Sequence, residues 1–362
     1  MKQLTIGILT GGGDCPGLNA VIRAVTQTAI RQFDAKVIGI EDGFEGLVEG
    51  RTSVLTLGMT EGLLPQGGTI LGTSNKGDPW HYRTMLSDGT MKSEDRSADM
   101  LKTVNELGID VLVTIGGDGT MQLAGQLAAM NIPIIGVPKT IDNDLAATDQ
   151  TFGFDTAVSI VSDALERLAT TASSHHRVMV VEVMGRSAGW IALAGGLAGA
   201  ADVILLPEID WTWEAVCQKV LQRHSEGMRY SLVCVAEGAL LPDGCIVSQT
   251  DARLTDPIHM GGIGHVVAKE LEQRTKLESR VTVLGHLQRG GSPTSYDRLL
   301  STRFGVAAAE CAGKHQFGVL VALRNNEIVA VPVEEALGPR KVVPTNHSLI
   351  EDGRRLGVCF GD

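Results

Sequence analysis

The sequence predicts an α/β protein built of two Rossmann-like lobes, each with a mainly parallel sheet covered by helices. Three observations predict this fold class. Short apolar runs, glycine-rich turns and segments with helical periodicity follow one another along most of the chain. The apolar runs are continuous rather than alternating, which is typical of strands buried on both faces of a parallel sheet. The length of 362 residues exceeds what one simple sheet domain needs.

The strands are predicted from short apolar runs that end in glycine-rich or polar turns. The first is residues 4–9 (LTIGIL), one residue before GGGDCPG, and residues 111–115 (VLVTI) directly precede GGDGT. Further strands are predicted at residues 36–40, 132–137, 178–183, 203–206, 230–236, 281–285 and 317–323.

The helices are predicted from apolar residues that recur three and four positions apart. After GGGDCPG this spacing joins Leu18, Val21, Ile22 and Val25. Further helices are predicted at residues 98–107, 121–130, 156–171, 188–199, 212–226, 261–274, 297–312 and 347–356. Residues 74–97 interrupt the alternation with polar, charged and turn-forming residues, and they are predicted to form a surface excursion.

Composition and charge argue against several classes of protein. A net charge of −11 argues against nucleic acid or an anionic membrane as a partner. The six cysteines form no CxxC pair, so neither a zinc site nor a dithiol redox site is indicated. The longest apolar run, residues 191–201, is too short to span a membrane, and the N-terminus shows no secretion signal. A soluble, cytoplasmic protein is therefore expected.

The turn GGGDCPG could form an anion site. Glycines let backbone N–H groups approach a phosphate, and a helix N-terminus adds partial positive charge. The turn lacks the GK[ST] sequence of a Walker A loop. A plain tight turn explains this motif equally well.

The turn GGDGT points more strongly to chemistry. Asp118 follows a predicted buried strand, where its carboxylate could bind Mg²⁺. Gly117 and Gly119 leave space beside it, and Thr120 could cap the next helix or contact phosphate. A helix cap alone would need no flanking glycines, so phosphate and metal binding is favoured over a structural role.

The turn PKTIDND, residues 138–144, holds two carboxylates, Asp142 and Asp144, separated by one residue. Neighbouring carboxylates resist simultaneous ionisation, which raises the pKa of one of them and suits it to accept a proton from a hydroxyl group. An Asx-turn with a purely structural role is the alternative for this motif taken alone.

Basic residues gather at predicted strand ends in the second half of the chain. Arg186 lies in the turn MGRSAG, and His286 and Arg289 lie in HLQRGGSPTSYDR. Arg177 and Arg280 stand at the entrances of the two preceding strands. A lone arginine is usually a solvated surface charge, but this set in an acidic protein predicts a clamp for phosphate groups.

The ordered motifs GGGDCPGLNAVIR, GGDGT, PKTIDND, SSHHRVMVVEVMGR and GHLQRGGSPTSYDR resemble those of the ATP-type phosphofructokinase family. The resemblance runs from about residue 4 to beyond residue 310. It implies transfer of the γ-phosphoryl group of ATP to the 1-hydroxyl of fructose 6-phosphate in glycolysis, with Mg²⁺ as the cofactor. It also implies a homo-oligomer, with a tetramer favoured, whose active sites are shared between subunits.

The resemblance implies a role for particular residues. Asp142 would accept the proton, with Thr140 and Arg186 as the other catalytic residues, and Asp118 would hold the metal ion. The donor would be bound by Gly13, Lys76, Gly117, Gly119, Thr120 and Lys139. The sugar phosphate would be bound by Thr140, Asp142, Asp144, Arg177, Met184, Gly185, Arg186, Glu237, Arg280, His286 and Arg289. Of these, Arg177 and Arg280 would reach the site of a neighbouring subunit.

Two residues give opposite indications about the donor. Gly119 matches ATP-dependent members of the family, because a side chain there would crowd the nucleotide beyond its β-phosphate. Lys139 matches pyrophosphate-dependent members. A side chain that blocks the nucleotide would have a larger effect than one added ammonium group, so Gly119 outweighs Lys139 and ATP is the expected donor. The alternative is a pyrophosphate-dependent fructose 6-phosphate 1-phosphotransferase. Asn75 stands where the familiar bacterial enzymes have arginine, and Lys76 could supply the missing charge.

The predicted lobes divide the chain discontinuously. Residues 1–140 with about 291–340 are expected to bind the donor and Mg²⁺, and residues 141–290 with about 341–362 are expected to bind the sugar phosphate. The active site is expected in the cleft between the lobes. An NAD- or lipid-kinase type enzyme shares GGDGT but pairs it with a β-rich second domain, whereas strand–helix alternation continues here past residue 300.

Overall fold

Two compact units make up the structure, a computed structural model that describes residues 2–75, 77–85, 90–250 and 258–362. The first unit comprises Met1–Thr140, Leu145–Gly153 and Arg289–Arg340. The second unit comprises Ile141–Asp144, Phe154–Gln288 and Lys341–Asp362. Each unit is therefore built from segments that are distant in sequence.

The described residues form fifteen strands. Strands β1 to β15 are, in chain order, Thr5–Thr10, Lys36–Ile40, Thr52–Leu55, Tyr82–Met85, Met91–Glu94, Val111–Gly116, Ile134–Pro138, Val178–Val183, Val203–Leu205, Ser231–Ala236, Ser248–Thr250, Ile258–Met260, Ser279–Val283, Val319–Arg324 and Glu327–Pro332.

Ten α-helices connect these strands within the described part of the chain. Helices α1 to α10 are, in chain order, Leu18–Phe33, Phe44–Glu49, Ser97–Leu107, Asp118–Ala129, Phe154–His175, Trp190–Ala198, Trp213–Ser225, Ile263–Thr275, Ser295–Gly313 and Ser348–Arg355. Short 3₁₀ helices lie at Gly58–Thr60, Gly285–Arg289 and Val333–Leu337. Among the described helices, none is both long enough and apolar enough to cross a membrane.

The sheet of the first unit has seven strands in the order β15-β14-β7-β6-β1-β2-β3. Its five central strands run parallel, and only the edge strands β3 and β15 are antiparallel to their neighbours. Strand β1 lies between β2 and β6, so the chain winds in opposite directions from this point. In open α/β sheets, ligands bind at the carboxyl ends of the strands at such a switch point. The loops after β1 and β6 occupy that position.

The helices of the first unit pack tightly against the sheet and against each other. Strands β1, β6 and β7 are buried along their whole length, which requires the continuous apolar runs seen in the sequence. Helices α1 and α9 approach closely at Gly305, where a Cβ would lie 2.6 Å from the Cβ of Ala24. The aliphatic interior reflects the low aromatic content of 4%.

The sheet of the second unit has four parallel strands in the order β13-β8-β10-β9. Val178, Ser231 and Ser279 stand side by side at the beginning of β8, β10 and β13. The loops that follow these strands therefore emerge at the same edge of the sheet. That edge carries the turn MGRSAG and Glu237, and the 3₁₀ helix Gly285–Arg289 follows β13.

The predicted fold class is confirmed, because both sheets are mainly parallel and flanked by helices. The predicted excursion, residues 74–97, contains the hairpin of β4 and β5. The hairpin is anchored at its base: Tyr82 is 6% exposed and its hydroxyl donates to Glu49 Oε1 at 2.6 Å. Residues 86–89 between the two strands lie outside the described part of the chain.

Candidate active site

The loops after β1 and β6 pack directly against one another in the first unit. The Gly11 N–H donates to the Ile115 carbonyl at 2.9 Å, and a Cβ on Gly11 would lie 2.6 Å from Thr120 Oγ1. Gly12 has a φ of 76°, in the left-handed region that favours glycine. Thr120 is buried against Gly11, so its side chain packs under the loop rather than facing solvent. The result is a glycine loop that is partly exposed at Gly12 and Gly13, where a phosphate can approach the backbone closely.

Helix α1 begins directly after GGGDCPG, at Leu18, with Gly17 as its N-cap. The contribution of this helix N-terminus to the charge of the turn stays a prediction. Two side-chain cations also border Gly13. The Lys139 ammonium donates to the Gly13 carbonyl, and a Cβ on Gly13 would lie 2.9 Å from Arg289 Nη1.

The Asp118 carboxylate lies at the start of α4 and is 21% exposed. Its Oδ1 accepts a hydrogen bond from Gln122 at 3.0 Å, and its Oδ2 lies 3.2 Å from Arg340 Nη2. Within the residues that the structure describes, no group of three or more His, Cys, Asp or Glu side chains could hold a metal ion. Mg²⁺ needs only one or two carboxylates when phosphates and water complete its shell. Asp118, a single carboxylate that is 21% exposed, fits that mode of binding if Mg²⁺ displaces Arg340 from Oδ2.

The glycines that flank Asp118 differ in their surroundings. A Cβ on Gly117 would lie 3.2 Å from the Lys139 carbonyl oxygen, so this position is closely packed. A Cβ on Gly119 would meet no heavy atom within 4 Å. Gly119 is therefore not required by packing, and it leaves open space beside the Asp118 carboxylate.

The turn after β7 places two buried acidic side chains in the second unit. Asp142 is 4% exposed and Asp144 is 5% exposed, and Asn143 between them has a φ of 53°, which asparagine tolerates. Arg186 Nε lies 3.9 Å from Asp142 Oδ2. The exposed guanidinium of Arg186 thus stands beside a buried carboxylate, which is an arrangement that can both accept a proton and neutralise a phosphoryl group.

The turn that carries Arg186 has a strained backbone. Gly185 has a φ of 146° and Arg186 a φ of 52°, and a non-glycine residue adopts the latter rarely. Glu237 Oε1 holds the turn by accepting from the N–H groups of Gly185 at 3.3 Å and Arg186 at 3.0 Å. Burial raises the pKa of Glu237, and the charge of Asp142 raises it further. A Cβ on Gly238 would collide with the Arg186 carbonyl oxygen, so this close approach requires glycine.

Three further residues each contact a predicted site residue, or a neighbour of one, within their own unit, and they were not among the predicted site residues. Gln288 is fully buried and its Oε1 accepts from the Met184 N–H at 2.8 Å in the second unit. Lys341 Nζ donates to Asn143 Oδ1 at 3.3 Å in the same unit. Arg340 contacts Asp118 in the first unit. Of these three residues, only Gln288 lies in a motif that the sequence analysis singled out, HLQRGG. Arg340 and Lys341 lie in GPRK, which resembles an ordinary polar loop.

Arg177 and Arg280 lie at the other end of the second sheet. Arg177 immediately precedes β8 and Arg280 pairs with Met179 at its start, whereas Arg186 follows the end of that strand. A six-residue strand is about 20 Å long. Both arginines form ion pairs with Glu278, whose pKa is lowered chiefly by its hydrogen bond from Arg177. The structure therefore does not bring them to Asp142 of the same chain.

The remaining predicted site residues have varied surroundings. Thr140 is buried, and its carbonyl accepts from Thr151 at 2.7 Å in the first unit. His286 is exposed and belongs to the second unit, while Arg289 belongs to the first and donates to the Asp14 carbonyl at 3.1 Å. Lys76 lies outside the described residues.

Comparisons with known proteins agree with the motifs found in the sequence. The family model described as phosphofructokinase matches residues 5–312. The whole chain is 52% identical to an ATP-dependent 6-phosphofructokinase of Chloroflexus aurantiacus, of which it covers 99%. It is 47% identical over 99% of its length to a pyrophosphate–fructose 6-phosphate 1-phosphotransferase of Streptomyces coelicolor, of which it covers 100%.

A solved structure supports the same relationship. The T-state crystal structure of Pichia pastoris phosphofructokinase has a TM-score of 0.78 and 31% sequence identity over 93% of this chain. This chain spans 36% of that longer chain.

Proposed function

This chain belongs to the phosphofructokinase family, and we propose that it is an ATP-dependent 6-phosphofructokinase. It would transfer the γ-phosphoryl group of ATP to the 1-hydroxyl of fructose 6-phosphate and release ADP and fructose 1,6-bisphosphate. The observation that carries the proposal is the pair of Asp142 and Arg186, a buried carboxylate 3.9 Å from an exposed guanidinium. The name of the relative that is 52% identical supports the same activity.

The second unit provides the acceptor chemistry in this proposal. Asp142 Oδ2 accepts the proton of the 1-hydroxyl as its oxygen attacks phosphorus, and later returns that proton to water. Arg186 faces the phosphoryl group and balances charge that spreads over its oxygens in the loose transition state. Thr140 and Asp144 position the substrate. Met184, Gly185 and Glu237 line the sugar, with the Glu237 carboxyl available for its hydroxyl groups.

The first unit binds the donor in this proposal. The loop at Gly13 and the glycines around Asp118 offer backbone N–H groups to the donor phosphates, with Thr120 supporting the loop from below. Mg²⁺ at Asp118 would supply neutralisation of the phosphate charge. Lys139 and Arg340 add cations from the protein, and Lys76 is a further proposed contact. Thr140 links this unit to the catalytic turn along the chain.

The choice of ATP rests on Gly119. The open space beside it accommodates the remainder of a nucleotide, which an aspartate side chain would occupy. Lys139 favours the second candidate, a pyrophosphate-dependent enzyme, and the relative from Streptomyces coelicolor is named for that activity. The ammonium of Lys139 donates to the Gly13 carbonyl and so lies beside the loop proposed to bind the donor phosphates. It could therefore contact a phosphate of either donor. A side chain at position 119 would exclude a nucleotide, and glycine has no side chain to do so.

The proposal includes an oligomer with shared sites. Arg177 and Arg280 lie about a strand length from Arg186, or about 20 Å, so they are proposed to serve a neighbouring subunit. His286 and Arg289 are proposed to hold the 6-phosphate of the sugar. A tetramer is proposed as the assembly and the cytoplasm as its location, which the six free cysteines suit.

One assay tests this proposal. Purified protein is supplied with Mg²⁺ and fructose 6-phosphate, with either ATP or pyrophosphate as the only donor, and ³¹P NMR follows the products. Formation of ADP and fructose 1,6-bisphosphate, with slower or no transfer from pyrophosphate, is expected. Faster transfer from pyrophosphate would favour the second candidate, and no transfer from either donor would overturn both.

A further inference from the structure

A short segment near the C-terminus connects three parts of the second unit. The tail segment, Lys341–Val343, follows the last passage of the chain into this unit. The Lys341 N–H donates to the Asp144 carbonyl at 2.8 Å, and the Lys341 carbonyl accepts from Trp190 Nε1 at 2.9 Å. The tail segment therefore contacts both the turn with Asp142 and the helix that follows the turn with Arg186.

Glu208 completes this connection with a single carboxyl oxygen. Glu208 Oε1 accepts from the Val343 N–H at 2.9 Å and from the Gly189 N–H at 2.8 Å. Gly189 ends the turn that carries Arg186, and Val343 ends the tail segment and is 1% exposed. Two backbone donors that are distant in sequence thus depend on one acceptor, and a buried donor without an acceptor is costly.

The carboxyl group of Glu208 is partly removed from solvent. Its Oε2 is buried and has no hydrogen-bond partner among the described residues. Burial raises the pKa of Glu208, with the backbone hydrogen bonds acting in the opposite direction. A protonated carboxyl keeps Oε1 as an acceptor for both N–H groups, so its charge is not needed for these contacts.

We propose that Glu208 is a positioning residue for phosphoryl transfer, which joins the turn of Arg186 to the tail segment and through it to the turn of Asp142. This role rests on the proposed function. Glu208 touches neither substrate in the proposal and acts only through the two turns. Its loss would let Arg186 and Asp142 move apart, and displacements of about 1 Å at such groups can cost about 100-fold in rate.

The matched test compares two substitutions of Glu208 with one at another partly buried carboxylate. Glu208→Ala removes the acceptor, while Glu208→Gln keeps a carbonyl oxygen and the side-chain volume. Asp202→Ala removes a partly buried carboxylate at the opposite end of the same sheet, where it accepts from the Leu232 N–H at 2.8 Å and pairs with Arg223 at 2.9 Å. This control measures the effect of lost stability in the same unit.

We expect the kcat of Glu208→Ala to fall by about 10- to 100-fold while the KM for ATP changes little, because the donor loops lie in the other unit. Glu208→Gln should recover most of the wild-type kcat, and Asp202→Ala should lower Tm but keep kcat. Hydrogen exchange at Gly189 and Val343 should accelerate in Glu208→Ala alone. If Glu208→Ala does not fold, Gly189→Ala replaces it, since the new Cβ would lie 2.6 Å from Glu208 Oε2 and displace the carboxyl group.

The outcomes separate this role from the proposed function. A Glu208→Ala enzyme with wild-type kcat, or a Glu208→Gln enzyme as impaired as Glu208→Ala, would overturn the positioning role. An equal loss of kcat in Asp202→Ala would overturn it as well, because lost stability would then explain the effect. If the wild-type protein transfers no phosphoryl group from either donor, the proposed function itself fails, while the exchange of Gly189 and Val343 still reports whether Glu208 holds the two segments.

Discussion

Asp142 combines burial with a nearby guanidinium, and the two features support its proposed role as the proton acceptor. Asp142 is 4% exposed, while the side chain of Arg186 beside it is about half exposed. The sequence indicated both residues through their motifs. The sequence did not indicate that Glu237 anchors the turn of Arg186, because that hydrogen bond joins residues fifty-one positions apart.

Substitution of Asp142 tests the proton acceptor. Asp142→Ser should lower kcat by about 100-fold or more, since removal of a general base costs that order of magnitude. The KM for fructose 6-phosphate should change little, because the sugar is held mainly by other groups. Steady-state kinetics with a far-ultraviolet circular dichroism spectrum as the folding control measures this. An unchanged kcat would remove Asp142 from the mechanism.

Substitution of Gly119 tests the choice of donor. Gly119→Asp should fold normally, because a Cβ there has no neighbour within 4 Å, but its carboxylate would occupy the space needed by a nucleotide. The kcat/KM for ATP should fall while that for pyrophosphate falls less or rises. Gly58→Asp, at another exposed glycine of the first unit, serves as the control and should alter neither value. Equal ATP use by the wild type and Gly119→Asp would contradict the steric argument.

Glu208 should make stability depend on pH. Its pKa in the folded protein is raised above the ordinary 4.5, so above that pH the unfolded chain loses a proton that the folded protein retains. The free energy of unfolding of the wild type should therefore decrease relative to that of Glu208→Gln as pH rises from about 4.5 towards the raised pKa. Urea unfolding of both proteins at several pH values measures the difference. Parallel pH profiles would show that Glu208 does not titrate in this way.

At the scale of secondary structure, long periodic elements were predictable and short ones were not. The strands predicted at residues 36–40 and 178–183 match β2 and β8 in their bounds, because burial on both faces demands continuous apolar runs. Helix α2, at Phe44–Glu49, and strand β3, at Thr52–Leu55, were not predicted. Six- and four-residue elements carry too little periodicity, and contacts with the rest of the first unit stabilise them.

The contact between α1 and α9 gives a prediction about packing. Gly305→Val should lower the free energy of unfolding by about 1–3 kcal/mol, the usual cost of overpacking, because the new side chain meets Ala24 and the Val21 carbonyl. Ala307→Val, two residues later on a less buried part of α9, provides the control. Urea unfolding measures both. A Gly305→Val protein as stable as the control would show that α1 and α9 can separate without cost.

At the scale of the whole molecule, the positions of Arg177 and Arg280 bear on the proposed assembly. The two arginines lie at the amino ends of β8 and β13, while the proposed acceptor residues lie at the carboxyl ends. The sequence already predicted this separation, because Arg177 and Arg186 flank the apolar run that forms β8.

Hybrid oligomers test whether neighbouring subunits share sites. Arg280→Ala and Asp142→Ser should each be nearly inactive alone, because each lacks one part of every site. Co-expression should produce some sites with an intact Asp142 from one chain and an intact Arg280 from the other. The activity of the mixture should therefore exceed the sum of the two separate variants. Activity no greater than that sum would place Arg280 outside the site of its neighbour.

The sequence alone determined the fold class, most strands and helices, the family motifs and the identity of Asp118, Asp142 and Arg186 as candidate residues. These features depend on residues that are close together in the sequence, namely periodic apolar residues and glycines beside charged groups. Only the tertiary structure decided which distant residues hold them, such as Gln288 behind Met184 and Glu208 between Gly189 and Val343. Such contacts depend on how segments far apart in the chain pack together, and a hydrogen bond across that distance leaves no periodic trace in the sequence.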